Sequence, residues 1–307
     1  DGLVVTWSTP EEIVLAALDL DGQESWRRNL GPNVCKHGTG TSPSFVDDLV
    51  VLANDQEDPA ALPTVYGAAS STLPAGKSFL IALERKTGKT RWKTDRRTAV
   101  ASYSTPCVYT WRDGRSELIF TSMACGITAL DPATGTVNWE IGGLFDDRCV
   151  GSPVVAPGLV IAGYGQGIRG VRWVAVRPGK RSNGTEPAVV YDVTQSEPLV
   201  PTPVVQDGRL FLWCDAGVVT CLKVSTGDLI WRARVGGSLY GSPVCVNDRL
   251  YCIARNGDVV VVAAADEFEL LGRVSLGEGS HATPAVSGGV MYLRTQSHLF
   301  SLGGRKQ

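Results

Sequence analysis

The sequence is poor in histidine, with three residues in 307, and its eight cysteines form neither a CxxC pair nor a Cys-Cys dipeptide. A metal site built from closely spaced thiolates and imidazoles is therefore not expected. Charge of one sign is also lacking: 29 Lys and Arg against 31 Asp and Glu leave a net charge of −2. With no basic surplus there is no electrostatic basis for a nucleic-acid partner or for an anionic membrane surface. No apolar run reaches the roughly 18–20 residues that a membrane-crossing helix needs, so no transmembrane segment is expected. The start, Asp1-Gly2-Leu3-Val4-Val5, lacks the basic region and apolar core of a signal peptide and reads as a mature or trimmed start. The cysteines lie mostly in apolar stretches such as Val244-Cys245-Val246 and Tyr251-Cys252-Ile253, which predicts free, buried thiols. A two-residue turn at Asn247-Asp248 would set Cys245 opposite Leu250.

Glycine and proline are abundant, at 35 and 17 residues, and they recur at intervals. A Ser/Thr-Pro pair heads a short apolar stretch six times: Ser42-Pro43, Thr105-Pro106, Ser152-Pro153, Thr202-Pro203, Ser242-Pro243 and Thr283-Pro284. The prolines are 63, 47, 50, 40 and 41 residues apart, a base period of about 40, the length of a four-stranded propeller blade. The long first interval contains a Pro/Ala/Ser-rich insertion at about 54–78, with Pro59, Pro63, Tyr66 and Pro74. A lid, a partner-docking arm and a plain flexible loop all suit it.

Each period repeats one grammar. A short strand A leads through a turn such as Asp207-Gly208, suited to positive φ, into strand B, seen in Leu210 to Trp213, Leu250 to Ile253 and Leu159 to Ala162. Strand C follows, as in Phe79 to Leu83 and Val218 to Val224. A Thr-Gly turn then precedes a strand D that carries a tryptophan: Trp92, Trp139 and Trp231, with Trp26 after a shorter Asp21-Gly22 turn. One antiparallel meander cannot bury both of its faces, so such units stack face to face, and radial closure protects the edges. The fold predicted is an all-β propeller, a single domain over 1–307, with about seven blades of four antiparallel strands. The first unit begins at strand B (Leu3 to Trp7) and the last ends after strand C, so 26 strands are expected. An upstream segment that supplies strand D of the last blade and strand A of the first would complete the closing seam.

The stretches Ala82-Leu83-Glu84-Arg85-Lys86-Thr87-Gly88-Lys89-Thr90-Arg91-Trp92 and Ala129-Leu130-Asp131-Pro132-Ala133-Thr134-Gly135-Thr136-Val137-Asn138-Trp139 resemble the tryptophan-docking motif A-x-D-x-x-T-G-x-x-x-W of PQQ-like (quinoprotein-type) propeller repeats. Cys221 to Trp231 is a third copy, and Ala17 to Trp26 a fourth, one residue short. The resemblance implies a structural role for Trp26, Trp92, Trp139 and Trp231, each packing its blade against the next. It also implies one of two functional branches. Quinone-dependent dehydrogenases hold PQQ with a Ca²⁺ ion, and some carry a vicinal disulfide that this chain cannot form. Binding scaffolds of the same superfamily are shorter, and the pattern here is closer to them. The expectation is a non-enzymatic, periplasmic or secreted scaffold for a protein or polysaccharide partner, with no cofactor. An enzyme at the same place, a dehydrogenase or a lyase or hydrolase, is the alternative.

A site should lie where the D–A and B–C connections meet, because these are longer than the tight A–B and C–D turns, and loops on a rigid scaffold carry function. The candidates at this channel mouth are His37, Arg96, Arg97, Tyr103, Asp147, Arg148, Tyr240, Glu278 and His281. Asn54, Asp55, Gln166, Asp215, Arg255 and Gln296 stand in the B–C loops. Carboxylates with Arg and His suit a polar ligand such as a sugar or a peptide terminus. His37 and His281 could form an acid–base set with Asp147, or a metal site with carboxylates. The same residues also suit a rim that only binds water and satisfies backbone groups.

Overall fold

The computed structural model describes residues 2–35, 37–58, 76–97, 100–166, 170–180, 184–193 and 198–303. Among these, every regular element is a strand, and no helix is long and apolar enough to cross a membrane. The first sheet contains β1 (Leu3–Ser8), β2 (Ile13–Leu18) and β3 (Glu24–Asn29), and the second β4 (Ser44–Val46), β5 (Leu49–Asn54), β6 (Phe79–Glu84) and β7 (Thr90–Asp95). The third contains β8 (Cys107–Thr110), β9 (Ser116–Ser122), β10 (Gly126–Leu130) and β11 (Val137–Ile141). The fourth contains β12 (Val154–Ala156), β13 (Leu159–Gln166), β14 (Gly170–Arg177) and β15 (Ala188–Val193). The fifth contains β16 (Val204–Gln206), β17 (Arg209–Cys214), β18 (Val218–Lys223) and β19 (Leu229–Arg234). The sixth contains β20 (Val244–Val246), β21 (Arg249–Ile253), β22 (Asp258–Ala263) and β23 (Leu270–Ser275), and the seventh β24 (Ala285–Ser287), β25 (Val290–Arg294) and β26 (Leu299–Gly303). The strands of each sheet follow one another in chain order, and these sheets are the seven blades of a β-propeller. The 26 strands match the expected number, with three-stranded sheets first and last. Two compact units are distinguished, Asp1–Gln166 with Val176–Val189 and Gly167–Ala175 with Val190–Gln307, and each is treated by itself below.

The turns follow their sequence chemistry. Asp207 and Gly208, and Asn247 and Asp248, all have positive φ, as a two-residue hairpin turn requires. The pairing sets Cys245 opposite Leu250, and all eight cysteines are free. Of the insertion, residues 59–75 lie outside the described residues. Its base is pinned: Gln56 N donates to Ser78 Oγ at 2.8 Å, and Glu57 N to Val34 O at 2.6 Å.

Burial distinguishes the strands within a sheet. The central strands are buried on both faces, as in β5 and β10, whose residues are all buried, because sheets stack on either side of them. Strand D is largely exposed: in β3, β7 and β19 the only buried residue is Trp26, Trp92 or Trp231. A bulge sets this residue's direction. Ala82 faces Trp92 while Leu83 faces Thr90, which leaves Arg91 without a partner across the pair. The same slip occurs at Ala17/Leu18, Ala129/Leu130, Cys221/Leu222 and Val261/Val262. One extra residue re-aims those that follow.

The indoles reach into the following sheet. Trp26 Nε1 donates to Arg85 O at 2.9 Å, Trp92 Nε1 to Pro132 O at 2.8 Å, and Trp231 Nε1 to Ala265 O at 2.9 Å. The ring of Trp92 lies so close to Gly135, at φ +68°, that a Cβ there would stand 2.5 Å from it. Glycine is thus required twice over, for the turn and for the approach. Trp139 differs: its Nε1 donates to Glu117 Oε2 of its own sheet at 2.9 Å, and the fourth sheet after it carries no Thr-Gly turn. In that fourth sheet Tyr191 occupies the corresponding place. Its hydroxyl donates to Val224 O at 2.8 Å, and its ring covers Gly227. In the sixth sheet the place opposite Val261 is held by Gly272, where a Cβ would meet open space.

Candidate functional site

In the first unit, the connections entering β4, β8 and β12 meet the segment after β5, and their polar side chains are buried together. Arg96 Nη1 binds both carboxylate oxygens of Asp55 at 3.1 and 3.3 Å, with side-chain exposures of only 3% and 1%. Burial raises the Asp55 pKa, against the lowering effects of Arg96 and of a hydrogen bond from the Ser102 backbone. Arg96 Nε and Nη2 are buried without a hydrogen-bond partner among the described residues. Arg148 lies 3.9 Å from Glu57 Oε1 and 3.7 Å from Asp147 Oδ1, and its own backbone N–H donates to Asp147 at 2.7 Å. Gln56, between Asp55 and Glu57 in the chain, is also buried and bonded: Oε1 accepts from Val34 N and Nε2 donates to Asn54 Oδ1, each at 2.6 Å.

Tyr103 stands beside this network. Its hydroxyl is 3.3 Å from Cys35 Sγ and 3.5 Å from Arg148 Nη1, and its ring lies 6.4 Å from that of His37. Its packing requires Gly40, where a Cβ would come within 2.7 Å of the tyrosine ring. Burial pushes both the Cys35 thiol and the Tyr103 phenol up from their ordinary pKa values, so both stay protonated at neutral pH. A thiolate nucleophile is not what this environment produces. Arg97 parts from its neighbour: 85% exposed, it pairs with Glu140 at 3.4 Å.

The second unit carries an exposed counterpart. The Arg255 guanidinium lies over the Tyr240 ring at 4.5 Å, its Nε donates to His281 Nε2 at 3.2 Å, and the tyrosine and imidazole rings are 5.4 Å apart. Tyr240 is 40% exposed, and Arg255 and His281 are also exposed. Asp215 accepts from Leu199 N at 2.7 Å and Val200 N at 3.4 Å, although burial raises its pKa. Gln296 bonds Gly279 through its backbone, and Gln166 ends β13.

Glu278 turns away to accept from Ser297 Oγ at 2.6 Å and Ser297 N at 3.0 Å, with Thr295 and His298 also on its oxygens. These donors hold its pKa down at about 2. Since the native value lies below the unfolded one, this contribution to stability is complete above about pH 4.3. It is lost as the pH falls toward 2. Thermal melts should therefore show that Glu278→Gln flattens the decline of Tm between about pH 4.5 and pH 2.5. An unchanged slope would remove Glu278 from the acid response.

The structure thus brings Arg96, Tyr103, Asp147, Arg148 and His37 into one neighbourhood of the first unit, and Tyr240 and His281 into another in the second, while Arg97 and Glu278 are engaged elsewhere. Cys35, Gln56 and Glu57 were not among the expected residues. The run Asn54-Asp55-Gln56-Glu57 after an apolar strand was the available signal. Among the described residues, no group of three or more His, Cys, Asp or Glu is arranged to hold a metal ion.

A blade-built scaffold with polar clusters at its loop ends is a PQQ-type repeat propeller in class. Residues 12–191 and 184–303 match the family described as outer membrane protein assembly factor BamB, and the chain belongs to that family. It is similar to the BamB of Moranella endobia (strain PCIT), 23% identical over 241 residues, which is 70% of this chain and 57% of the relative. The chain thus spans little more than half of that relative's length. Among solved structures it resembles BamB from Moraxella catarrhalis (TM-score 0.53, 12% identity, 98% of this chain and 97% of that one). It also resembles Sqt1 of Saccharomyces cerevisiae (TM-score 0.67, 11% identity, 98% and 81%). A europium-containing methanol dehydrogenase is a further neighbour (TM-score 0.57, 14% identity, 86% and 63%). At these identities the structural likenesses show the fold alone. Among the described residues of the first unit, the buried carboxylates Asp55 and Glu57 lie against guanidinium groups, an arrangement that does not suit them as ligands of a quinone's cation.

Proposed function

We propose that the chain is a non-enzymatic scaffold that holds a protein partner at the sheet ends formed by the D–A connections and B–C loops. The observation that carries this reading is the exposed Tyr240–Arg255–His281 cluster. Tyrosine and arginine are the side chains that most often dominate binding at protein interfaces. Here the guanidinium is already oriented by a ring and an imidazole, which lowers the ordering cost of association. The hydrogen bond from Arg255 uses Nε and leaves the two Nη groups for a partner. The buried pairs Asp55–Arg96 and Glu57–Arg148 serve as rigid support for the same end of the sheets in the first unit, and Trp26, Trp92 and Trp231 fasten blade to blade. The relatives' description as assembly factors supports a polypeptide rather than a polysaccharide partner, and placement outside the cytoplasm belongs to the same reading.

A photo-crosslinking residue at exposed Asn256, beside Arg255, tests the reading in cells. A discrete protein adduct is expected, absent when the crosslinker stands at Asp228 in a C–D turn of the same unit, and reduced about tenfold by Arg255→Ala with Tyr240→Ala. Equal labelling from Asn256 and Asp228, or an adduct that survives both substitutions, would refute it.

A further inference from the structure

The ends of β8, β9, β12 and β13 opposite that face, all in the first unit, carry a feature that the proposed scaffold face does not use. The turn Trp111 to Arg115 between β8 and β9 and the turn Pro157-Gly158 between β12 and β13 border a cleft of about 710 Å³. Val108, Val155 and Pro157 give it apolar walls, and Trp111, Arg112, Asp113 and Lys180 are among its other lining residues. Trp111 is fixed edge-on against buried Tyr109, with ring centroids 5.0 Å apart and an interplanar angle of 84°. Its Nε1 is buried and has no acceptor among the described residues. With its N–H buried, the indole offers the cleft its ring.

Charge makes the cleft asymmetric. Lys180 Nζ stands 4.8 Å from the Trp111 ring, and its backbone is held by paired hydrogen bonds to Thr185 at 2.7 and 3.1 Å. Among the described residues, neither Lys180 nor Arg112 has a carboxylate within ion-pair distance. The acid in the lining, Asp113, is engaged by Arg115 Nη2 at 2.9 Å and Nε at 3.1 Å. Two positive groups therefore flank an aromatic floor and apolar walls with no carboxylate in ion-pair contact among the described residues, Asp113 acting on Lys180 only at longer range.

We propose that this cleft binds an extended peptide segment of a second protein in which an acidic side chain stands beside an apolar one. The carboxylate meets Arg112 and Lys180, and the apolar side chain packs on the Trp111 ring and on Val108, Val155 and Pro157. Charge-assisted hydrogen bonds supply the selectivity for the acid. The apolar neighbour supplies the burial.

The test is an NMR titration of the ¹⁵N-labelled full chain with the blocked peptide Ac-Ala-Leu-Glu-Leu-Ala-NH₂ and its Gln counterpart. The indole N–H signal of Trp111 is assigned by its loss in Trp111→Phe. Saturable movement of that signal with the Glu peptide is expected, with binding at least about tenfold weaker for the Gln peptide and for Arg112→Gln with Lys180→Gln. Arg112→Gln alone, at an exposed position, gives the same comparison if the double variant fails to fold. A stationary Trp111 signal up to millimolar peptide, or equal response to the Glu and Gln peptides, overturns the proposal.

Discussion

Trp92→Ala is expected to lower the free energy of unfolding by about 3–5 kcal/mol, as loss of a large core aromatic does. Trp92 is 7% exposed and packs in one cluster with Val51, Ala82, Leu118, Phe120 and Leu130. Those residues come from β5, β6, β9 and β10, so the ring belongs to the cores of two sheets at once. The substitution also strips Pro132 O of its donor and opens the space over Gly135. Urea unfolding of both proteins at neutral pH measures the difference. Gly135→Ala should be destabilising as well, because it combines positive φ with the clash against the same ring. In the Trp92→Ala background, most of the clash part of that cost should vanish. Additive losses in the double variant would separate the two residues and contradict this account of the contact.

Arg96→Ala should cost a comparable amount, about 3–5 kcal/mol at neutral pH, because it leaves the Asp55 carboxylate buried without its cation. The pH dependence identifies the cause. Since burial raises the native pKa of Asp55 above the unfolded value, the stability linked to that proton is fully present below the ordinary aspartate range. It is lost as pH rises through the native value. Without Arg96 the native value climbs further, so the deficit of the variant should be widest at neutral pH and shrink toward about pH 4. Urea midpoints of the two proteins at both pH values give the comparison. The pair Arg96→Met with Asp55→Leu should recover much of the loss, since apolar replacement of a whole buried pair is often neutral. A deficit independent of pH would assign the effect to packing.

The periodic Ser/Thr-Pro and Thr-Gly pairs made the sheets legible, because turn chemistry and strand burial are both local properties of the chain. Leu210 to Trp213 falls inside β17 and Phe79 to Leu83 inside β6. The fourth sheet shows the limit. With no Thr-Gly turn to mark its last strand, Tyr191 gave no sign that it would take the place of a tryptophan, although its contact with Gly227 has the same form. The clusters at the loop ends were legible only as positions. Arg96 and Arg97 are adjacent in sequence, yet one is buried against Asp55, 41 residues away, and the other is 85% exposed. Which of two like neighbours turns inward depends on the packing of three separate connections, and no local pattern encodes it. The same holds for Cys35, whose thiol reaches Tyr103 across 68 residues.

Gly272 has a bearing on how the second unit opens. At the place where other sheets extend an aromatic ring toward their successor, the sixth extends nothing. The seventh is held through the smaller cluster of Ile253, Val259 and Leu293 with Tyr251, Val261, Leu276, Met291 and Phe300 at its margin. Local unfolding proceeds by contiguous segments of unequal stability, and here the inequality is written into a single position. The segment from β24 to β26 is therefore expected to fray before the fifth and sixth sheets, which Trp231 joins. Within the described residues of the second unit, its backbone amides are expected to exchange with solvent sooner than those of β16 to β23.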